Sequence, residues 1–344
     1  MKSVKVIILN NLPLESGIGH YAHLLFESMK PDSELLNFPN KPDLLNGSFD
    51  GRVVDPLTNS RIINVLTRQI VNRTTIRYID EFDGVVHYAG HLMFPIGNYT
   101  ARNRIGTFHD LIPLEYSESG FITSLHLRRN LRAMLDIPNV IVFTEWMRNK
   151  LIENHVYNGR IYVVPHGYAK WFEKVEFDNT HKVFPKKEGE RYILSVSTDQ
   201  PRKNLKILPS VMKTLGAGYK LVRIGPMVSD SITFNRLSPK QLVQAYRSCD
   251  VLIFPSLDEG FGTPMIEAFA AGIPVAASDI AIFREIGGDA VEYFDPNNPE
   301  EAAEAIRRIM ADRERYVKKS LERAKLYSPE LFTHRMHKVY NSII

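Results

Sequence analysis

Arg202 and Lys203 stand side by side just after a short apolar run, and Glu259 and Glu267 stand eight positions apart around a glycine-bearing turn. Adjacent cations of two kinds suit a diphosphate: arginine grips oxygens with a planar fork, and lysine acts as a compact point charge. Carboxylates accept hydrogen bonds from hydroxyls. Between the two glutamates lie Gly260, Phe261, Gly262, Thr263 and Pro264. Pro264 fits the first position of a helix, where a missing N–H costs nothing. A glycine-rich turn at a helix start offers backbone N–H groups at the positive end of a helix dipole, which suits a phosphate. A ligand that carries both phosphates and hydroxyls, such as a sugar nucleotide, would satisfy the whole set. Two glutamates alone would mean little, since the chain has 39 acidic residues. Their setting gives the spacing its meaning.

That setting is a strand–loop–helix–strand unit. Val251–Phe254 is the apolar run of a buried parallel strand. Gly272 stops the helix and Pro274 follows it, so Val275–Ala277 begins the next strand. Similar alternation runs along the chain. Val4–Leu9, Val85–Tyr88, Arg104–Phe108, Val140–Thr144 and Ile161–Val164 read as strands, with helices at Tyr21–Met29, Leu125–Leu135 and Met147–Asn154. After a polar, patternless segment from Lys170 to Glu190, strands resume at Tyr192–Ser197 and Tyr219–Ile224. Late helices follow at Pro299–Met310, Arg315–Tyr327 and Glu330–Ser342. Alternating strands and helices indicate parallel sheets. Two doubly wound, Rossmann-like domains are expected, over 1–170 and 190–328, joined by the Lys170–Glu190 crossing. Strand ends in such sheets face the ligand crevice, and Arg202 and Lys203 follow one.

Composition supports this. A chain of 344 residues exceeds the usual single domain, and its 44% apolar and 24% charged residues are those of a globular protein. A net charge of +4 is too small to indicate nucleic acid, and no nucleic-acid motif is present. One cysteine, Cys249, excludes an internal disulfide and points to a reducing compartment. Val4–Leu9 is too short for a signal-peptide core, and no apolar run reaches transmembrane length. A cytoplasmic protein is expected. The leucine and arginine pattern of Leu125–Leu135, with Arg128, Arg129 and Arg132, leaves peripheral membrane contact open beside the more common solvated helix face.

Two further segments read differently alone and in company. Gly17-Ile18-Gly19-His20-Tyr21-Ala22 has the outline of a dinucleotide fingerprint, but its first glycine lies well past the strand end, and no acidic residue follows the second strand to hold a ribose. His109-Asp110 follows a strand and, by itself, reads as a structural pair in a turn. His87 and His91 have the spacing of metal ligands, but no carboxylate or cysteine cluster joins them, so structural histidines are the better reading.

The stretch Asp250–Ala277 resembles glycosyltransferase family 4, whose E-x7-E motif matches Glu259 and Glu267. Arg284–Ala290 and Tyr293–Pro296 match that family's usual continuation. The resemblance is closest over Tyr192–Pro296 and implies a GT-B fold: two Rossmann-like domains facing across a cleft, with a C-terminal helix at about 329–344 crossing back onto the first. It implies a retaining, sugar-nucleotide-dependent transferase. Lys203 matches the lysine that contacts the donor diphosphate. The family often has a second basic residue near Ser197-Thr198, where this chain has none, and Arg202 is the substitute at hand. Gly17 and Gly19 become part of a flexible loop near the diphosphate. His109, in a His-Asp-Leu segment, becomes a residue of the reaction centre. The implied catalytic set is His109, Arg202, Lys203 and Glu259. The implied donor site is Gly17, Gly19, Arg202, Lys203, Glu259, Gly260, Phe261, Gly262, Thr263 and Glu267, with Glu267 on the ribose and Glu259 on the transferred sugar.

No Asp-x-Asp sequence is present. Neither a metal nor a cofactor is therefore expected, since cations and a helix N-terminus can stabilise the leaving phosphate. His109–Leu114 favours GDP-mannose as the donor, with UDP-glucose next. The acceptor is a glycan, a lipid-linked glycan or a small molecule. The rival readings are a sugar-nucleotide epimerase and a noncatalytic sugar-nucleotide-binding subunit on the same scaffold. A nicotinamide oxidoreductase is disfavoured by the missing acidic residue.

Overall fold

The computed structural model describes residues 4–10, 12, 14, 16–37, 51–53, 73–90, 103–110, 136–154, 156–174 and 183–344. The chain forms two compact units: Met1–His166 together with Glu330–Ile344, and Gly167–Pro329.

The first unit holds a parallel seven-stranded sheet. Its strands are β1 (Val6–Asn10), β2 (Ser33–Asn37), β3 (Arg52–Val53), β4 (Val85–Tyr88), β5 (Arg104–Thr107), β6 (Asn139–Val142) and β7 (Arg160–Val163). They lie in the order β3-β2-β1-β4-β5-β6-β7. Val6 pairs with Ser33 on one side and Val85 on the other, so the strand order reverses beside β1. Every residue of β1, β4 and β6 is buried, the near-continuous apolar pattern of strands covered on both faces. Helix α1 (Gly17–Met29) is capped by Ser16, whose Oγ accepts from Gly19 N at 2.9 Å. Helix α2 spans Arg73–Asp80. Helix α3 (Glu145–Glu153) is capped by Thr144, whose Oγ1 accepts from Met147 N at 3.2 Å.

The second unit repeats the plan with six parallel strands: β8 (Arg191–Val196), β9 (Tyr219–Ile224), β10 (Ile232–Phe234), β11 (Val251–Phe254), β12 (Val275–Ser278) and β13 (Val291–Phe294). Their order is β10-β9-β8-β11-β12-β13, with the reversal between β8 and β11. The helices are α4 (Trp171–Lys174), α5 (Leu208–Leu215), α6 (Pro239–Ser248), α7 (Thr263–Ala271), α8 (Ala281–Gly287), α9 (Pro299–Ala311) and α10 (Arg313–Ala324). Helix α6 starts with a full capping box, Ser238 with Gln241, and Pro239 at its head. Helix α9 starts at Pro299 after the Asn298 cap, with Glu300 and Glu301 in its first turn. The core joins Ile193, Val251, Ile253 and Ala276 of the strands to Val211 of α5 and Ile306 of α9. Helix α11 (Pro329–Ile343) ends the chain and packs with the first unit.

The units divide between His166 and Gly167, ahead of the polar Lys170–Glu190 segment. The reason is aromatic packing. Phe172 is buried against Tyr246 with ring centroids 5.5 Å apart, and Phe184 meets Tyr192 at 5.3 Å. Both ends of that segment are thereby drawn into the second unit. The helix expected over Leu125–Leu135, His91 and the 111–114 part of the His-Asp-Leu segment lie outside the described residues. Among the described residues, no helix is long and apolar enough to cross a membrane.

Candidate functional site

In an open parallel sheet, ligands bind beyond the strand ends where the order of strands reverses. In the second unit that place lies past β8 and β11. The loop after β8 turns through a short 3-10 helix, Pro201–Lys203, and Asn204 closes it in the left-handed region at φ 53°. The Asn204 amide donates to the Pro255 carbonyl at 3.1 Å and the Pro296 carbonyl at 2.7 Å. Leu257 N donates to the Arg202 carbonyl at 2.7 Å. The loops after β8 and β11 are thus stitched together, and that brings the charged residues into contact.

Lys203 Nζ lies 2.6 Å from Glu259 Oε1, and Arg202 Nη1 lies 3.2 Å from Glu259 Oε2. Ser256 donates to Glu259 Oε1 at 2.8 Å. Arg202 Nη1 also reaches the Asp258 carbonyl at 3.2 Å. The side chains of Lys203 and Arg202 remain 13% and 18% exposed, so the cations are largely desolvated yet still reachable. Arg202 Nε and Gln200 Oε1 are buried with no hydrogen-bond partner among the described residues.

Gly262 caps α7 at φ 116°, a left-handed conformation that a side chain would strain, and no side chain caps this N-terminus. Thr263 takes the first helical position, so Pro264 takes the second rather than the first. Phe261 is buried, with its ring 6.0 Å from that of Tyr327, and Gly260 is half-buried. Glu267 is the fifth helical residue, one turn deeper than a place beside the N-terminus. Its Oε2 accepts from Tyr246 at 2.7 Å, and burial raises its pKa to about 7 against the opposing effect of that bond. Tyr246 sits on α6, a helix the sequence reading passed over. The Ser238–Gln241 capping box and the apolar Leu242, Val243 and Tyr246 could have disclosed the helix, though not the pairing.

A third cation reaches the end of β8 from another strand. Arg223 on β9 is fully buried and is held by neutral acceptors: Ser195 Oγ at 3.0 Å, the Ser197 carbonyl at 2.8 Å and the Pro226 carbonyl at 3.2 Å. Burial lowers its pKa to about 10, and the charge of Asp199 opposes the fall, so it stays protonated at neutral pH. Gly225 stands at φ +127°, and a Cβ there would come within 2.0 Å of the Ser197 carbonyl. Sequence order hides this arrangement, since Arg223 lies 26 residues from Ser197.

The remaining candidates belong to the first unit. Gly17 and Gly19 are not in a flexible loop: they form the first turn of α1, where Gly19 N is already committed to Ser16. His109 follows β5. Its Nε2 donates to the Ala89 carbonyl at 2.6 Å. Tyr21 and Phe143 meet the His109 ring edge-on at 5.0 and 5.1 Å. His87 is fully buried between Thr107 Oγ1 at 2.7 Å and Tyr340 OH at 2.5 Å. Burial, with the charge of His109, lowers its pKa to about 3. Cys249 is buried beside β11. Among the described residues, no three metal-ligating side chains gather.

Residues 176–325 match the family described as Glycosyl transferases group 1. The chain is 28% identical to the O-antigen chain mannosyltransferase RfbU of Salmonella typhimurium over 60% of its own length and 61% of that protein's. It is 28% identical to O-antigen chain mannosyltransferase B of Escherichia coli over 40% of this chain and 42% of that one. These matches span less than two thirds of either relative. Sucrose-phosphate synthase from Thermosynechococcus elongatus superposes with a TM-score of 0.72 at 19% identity, covering 98% of this chain and 99% of that one, a likeness of fold. The architecture is the GT-B fold.

Proposed function

We propose that this protein is a retaining glycosyltransferase that moves a hexose from a nucleoside diphosphate sugar to an acceptor hydroxyl. The observation that carries the reading is the convergence of Arg202, Lys203 and Glu259 beside the uncapped start of α7, at the reversal of strand order. Departure of the nucleoside diphosphate builds negative charge on the leaving phosphate. Lys203, Arg202 and the N–H groups after Gly260 are the groups that meet it. Glu267 takes the ribose, Glu259 takes hydroxyls of the transferred sugar, and His109 lines the reaction centre. The leaving phosphate itself helps to deprotonate the acceptor, and no protein base is assigned.

Mannose is the favoured sugar, with GDP-mannose ahead of UDP-glucose. The relatives' names, O-antigen chain mannosyltransferases, support mannose and a glycan acceptor. The protein works in the cytoplasm, with peripheral contact to the membrane where the acceptor is lipid-linked. No metal takes part, and turnover should persist in excess EDTA.

Incubation with a panel of sugar nucleotides tests the reading. Transfer, or slow donor hydrolysis without acceptor, is expected. Epimerisation, or binding without turnover, would hand the site to one of its rivals.

A further inference from the structure

We propose that Glu259 is an internal counter-ion that makes the cation site selective for diphosphates carrying a sugar over bare diphosphates. The inference rests on the sugar-nucleotide reading of the site and goes beyond it. The Glu259 carboxylate bridges both candidate phosphate-binding cations, Lys203 at 2.6 Å and Arg202 at 3.2 Å. Ser256 adds a third donor at 2.8 Å. The carboxylate is only 7% exposed, so these donors, and not water, satisfy it.

A diphosphate that takes Lys203 must draw the ammonium away from Glu259 Oε1. The buried carboxylate then loses a charged donor and gains an anionic neighbour. Both changes are unfavourable in a desolvated site. A sugar attached to the diphosphate returns hydroxyl donors to Glu259. A bare diphosphate returns none. The same residue therefore opposes the phosphate and welcomes the sugar, and discrimination arises from what Glu259 lacks when the sugar is absent. Arg202 Nε, buried and without a partner, shows that the guanidinium fork keeps a donor in reserve beyond its bond to Glu259. The cation pair is thus neutralised in part and not exhausted.

This arrangement predicts opposite effects of one substitution. Glu259→Gln keeps the size and hydrogen-bonding reach of the side chain but removes its charge. Calorimetry with inorganic pyrophosphate, GDP, GDP-mannose, UDP and UDP-glucose reads both effects. Pyrophosphate and the nucleoside diphosphates should bind about five- to tenfold tighter to Glu259→Gln than to the wild type. The preference for the sugar nucleotide over its nucleoside diphosphate should fall by a similar factor. Ser256→Ala removes the donor that stays on Glu259 when Lys203 leaves, without changing charge, and should weaken pyrophosphate by about twofold.

Unchanged or weaker pyrophosphate binding in Glu259→Gln, or no pyrophosphate binding to either protein, overturns the counter-ion role. Tighter pyrophosphate with no binding of any sugar nucleotide keeps that role and sinks the transferase reading. Sugar-nucleotide binding with an unaltered preference in Glu259→Gln keeps the transferase reading and sinks the selectivity.

Discussion

The two units share one topology and put opposite chemistry at their strand ends. In the first, the polar groups satisfy one another and carry no charge: Tyr21 OH meets Thr107 Oγ1 at 3.0 Å, and His87 bridges Thr107 and Tyr340. In the second, the groups are charged: Lys203 and Arg202, mostly desolvated but reachable, beside the buried Glu259. A closed neutral network holds elements together, because its groups are bonded to one another. An accessible cation pair with one buried N–H unspent has capacity left for a ligand. On the proposed reading the same fold plan serves as scaffold in one unit and as anion site in the other, and substitutions should separate the two roles.

The largest separation is expected at Lys203. Negative charge on the leaving phosphate grows as the glycosidic bond breaks, so the ammonium should matter more in the transition state than in the bound donor. Lys203→Ala should lower kcat by about 10²- to 10³-fold, with a smaller rise in KM for the donor. Lys203→Arg should rescue part of this, since a planar fork does not replace a compact ammonium. Wild-type turnover in Lys203→Ala would leave Arg202 as the sole candidate.

Next comes Glu267. Losing the proposed hydrogen bond to the ribose should weaken nucleoside diphosphate binding about ten- to a hundredfold in Glu267→Ala, and the buried Tyr246 hydroxyl left without its acceptor should cost about 1–3 kcal/mol of stability. Unchanged affinity by calorimetry would remove Glu267 from the donor site.

The pH response sharpens the comparison because its sign differs between the units. His20 and His87 are pushed down to about 4 and about 3 by burial. The unfolded chain takes up their protons first, so the first unit loses stability as pH falls below 6.5. Glu267 is pushed up to about 7, so the folded second unit takes up that proton first. Its contribution is fullest below 4.5 and is lost as pH rises towards 7. Between pH 7 and pH 5 each group is worth about 2 kcal/mol, with opposite signs in the two units. Hydrogen exchange followed separately in each unit would read this. Parallel loss in both units would contradict the Glu267 environment. The same titration should weaken nucleoside diphosphate binding about tenfold from pH 8 to pH 6, if the carboxylate form holds the ribose. Glu267→Gln should flatten that slope.

The contrast also explains what the sequence disclosed. Val251–Phe254, the turn at Gly260–Gly262 and the helix stop at Gly272 form a local unit, so adjacent residues announced both the elements and the charged site. Val85–Tyr88 was legible for a similar reason, as the short, mostly apolar run of a buried strand. What escaped was pairing over distance. Tyr340 lies 253 residues from His87, and no local pattern predicts that contact. Arg223 reads as one cation in an ordinary strand until β9 sets it beside β8. Glu267 falls on the helix that the turn and Pro264 announce, while its depth there depends on where α7 begins. The resemblance implies a loop for Gly17 and Gly19, but the Ser16 cap starts the helix at Gly17.

The smallest expected effect belongs to the first unit and marks the limit of the comparison. Tyr340, fully buried on α11, ties the chain's last helix to His87 on β4. Tyr340→Phe keeps the ring and its edge-on contact with His87, whose centroid lies 5.7 Å away, and deletes one hydrogen bond. His87 Nδ1 is then left buried without a partner, at a cost of about 1–1.5 kcal/mol. Thermal melting should register a drop of a few degrees, about 2–4 °C for a unit of this size. Donor affinity should not change, because the network carries no charge to the second unit's cations. A loss of donor affinity as large as that of Glu267→Ala would mean that the neutral network does more than hold elements together, and the division of roles between the two units would have to be redrawn.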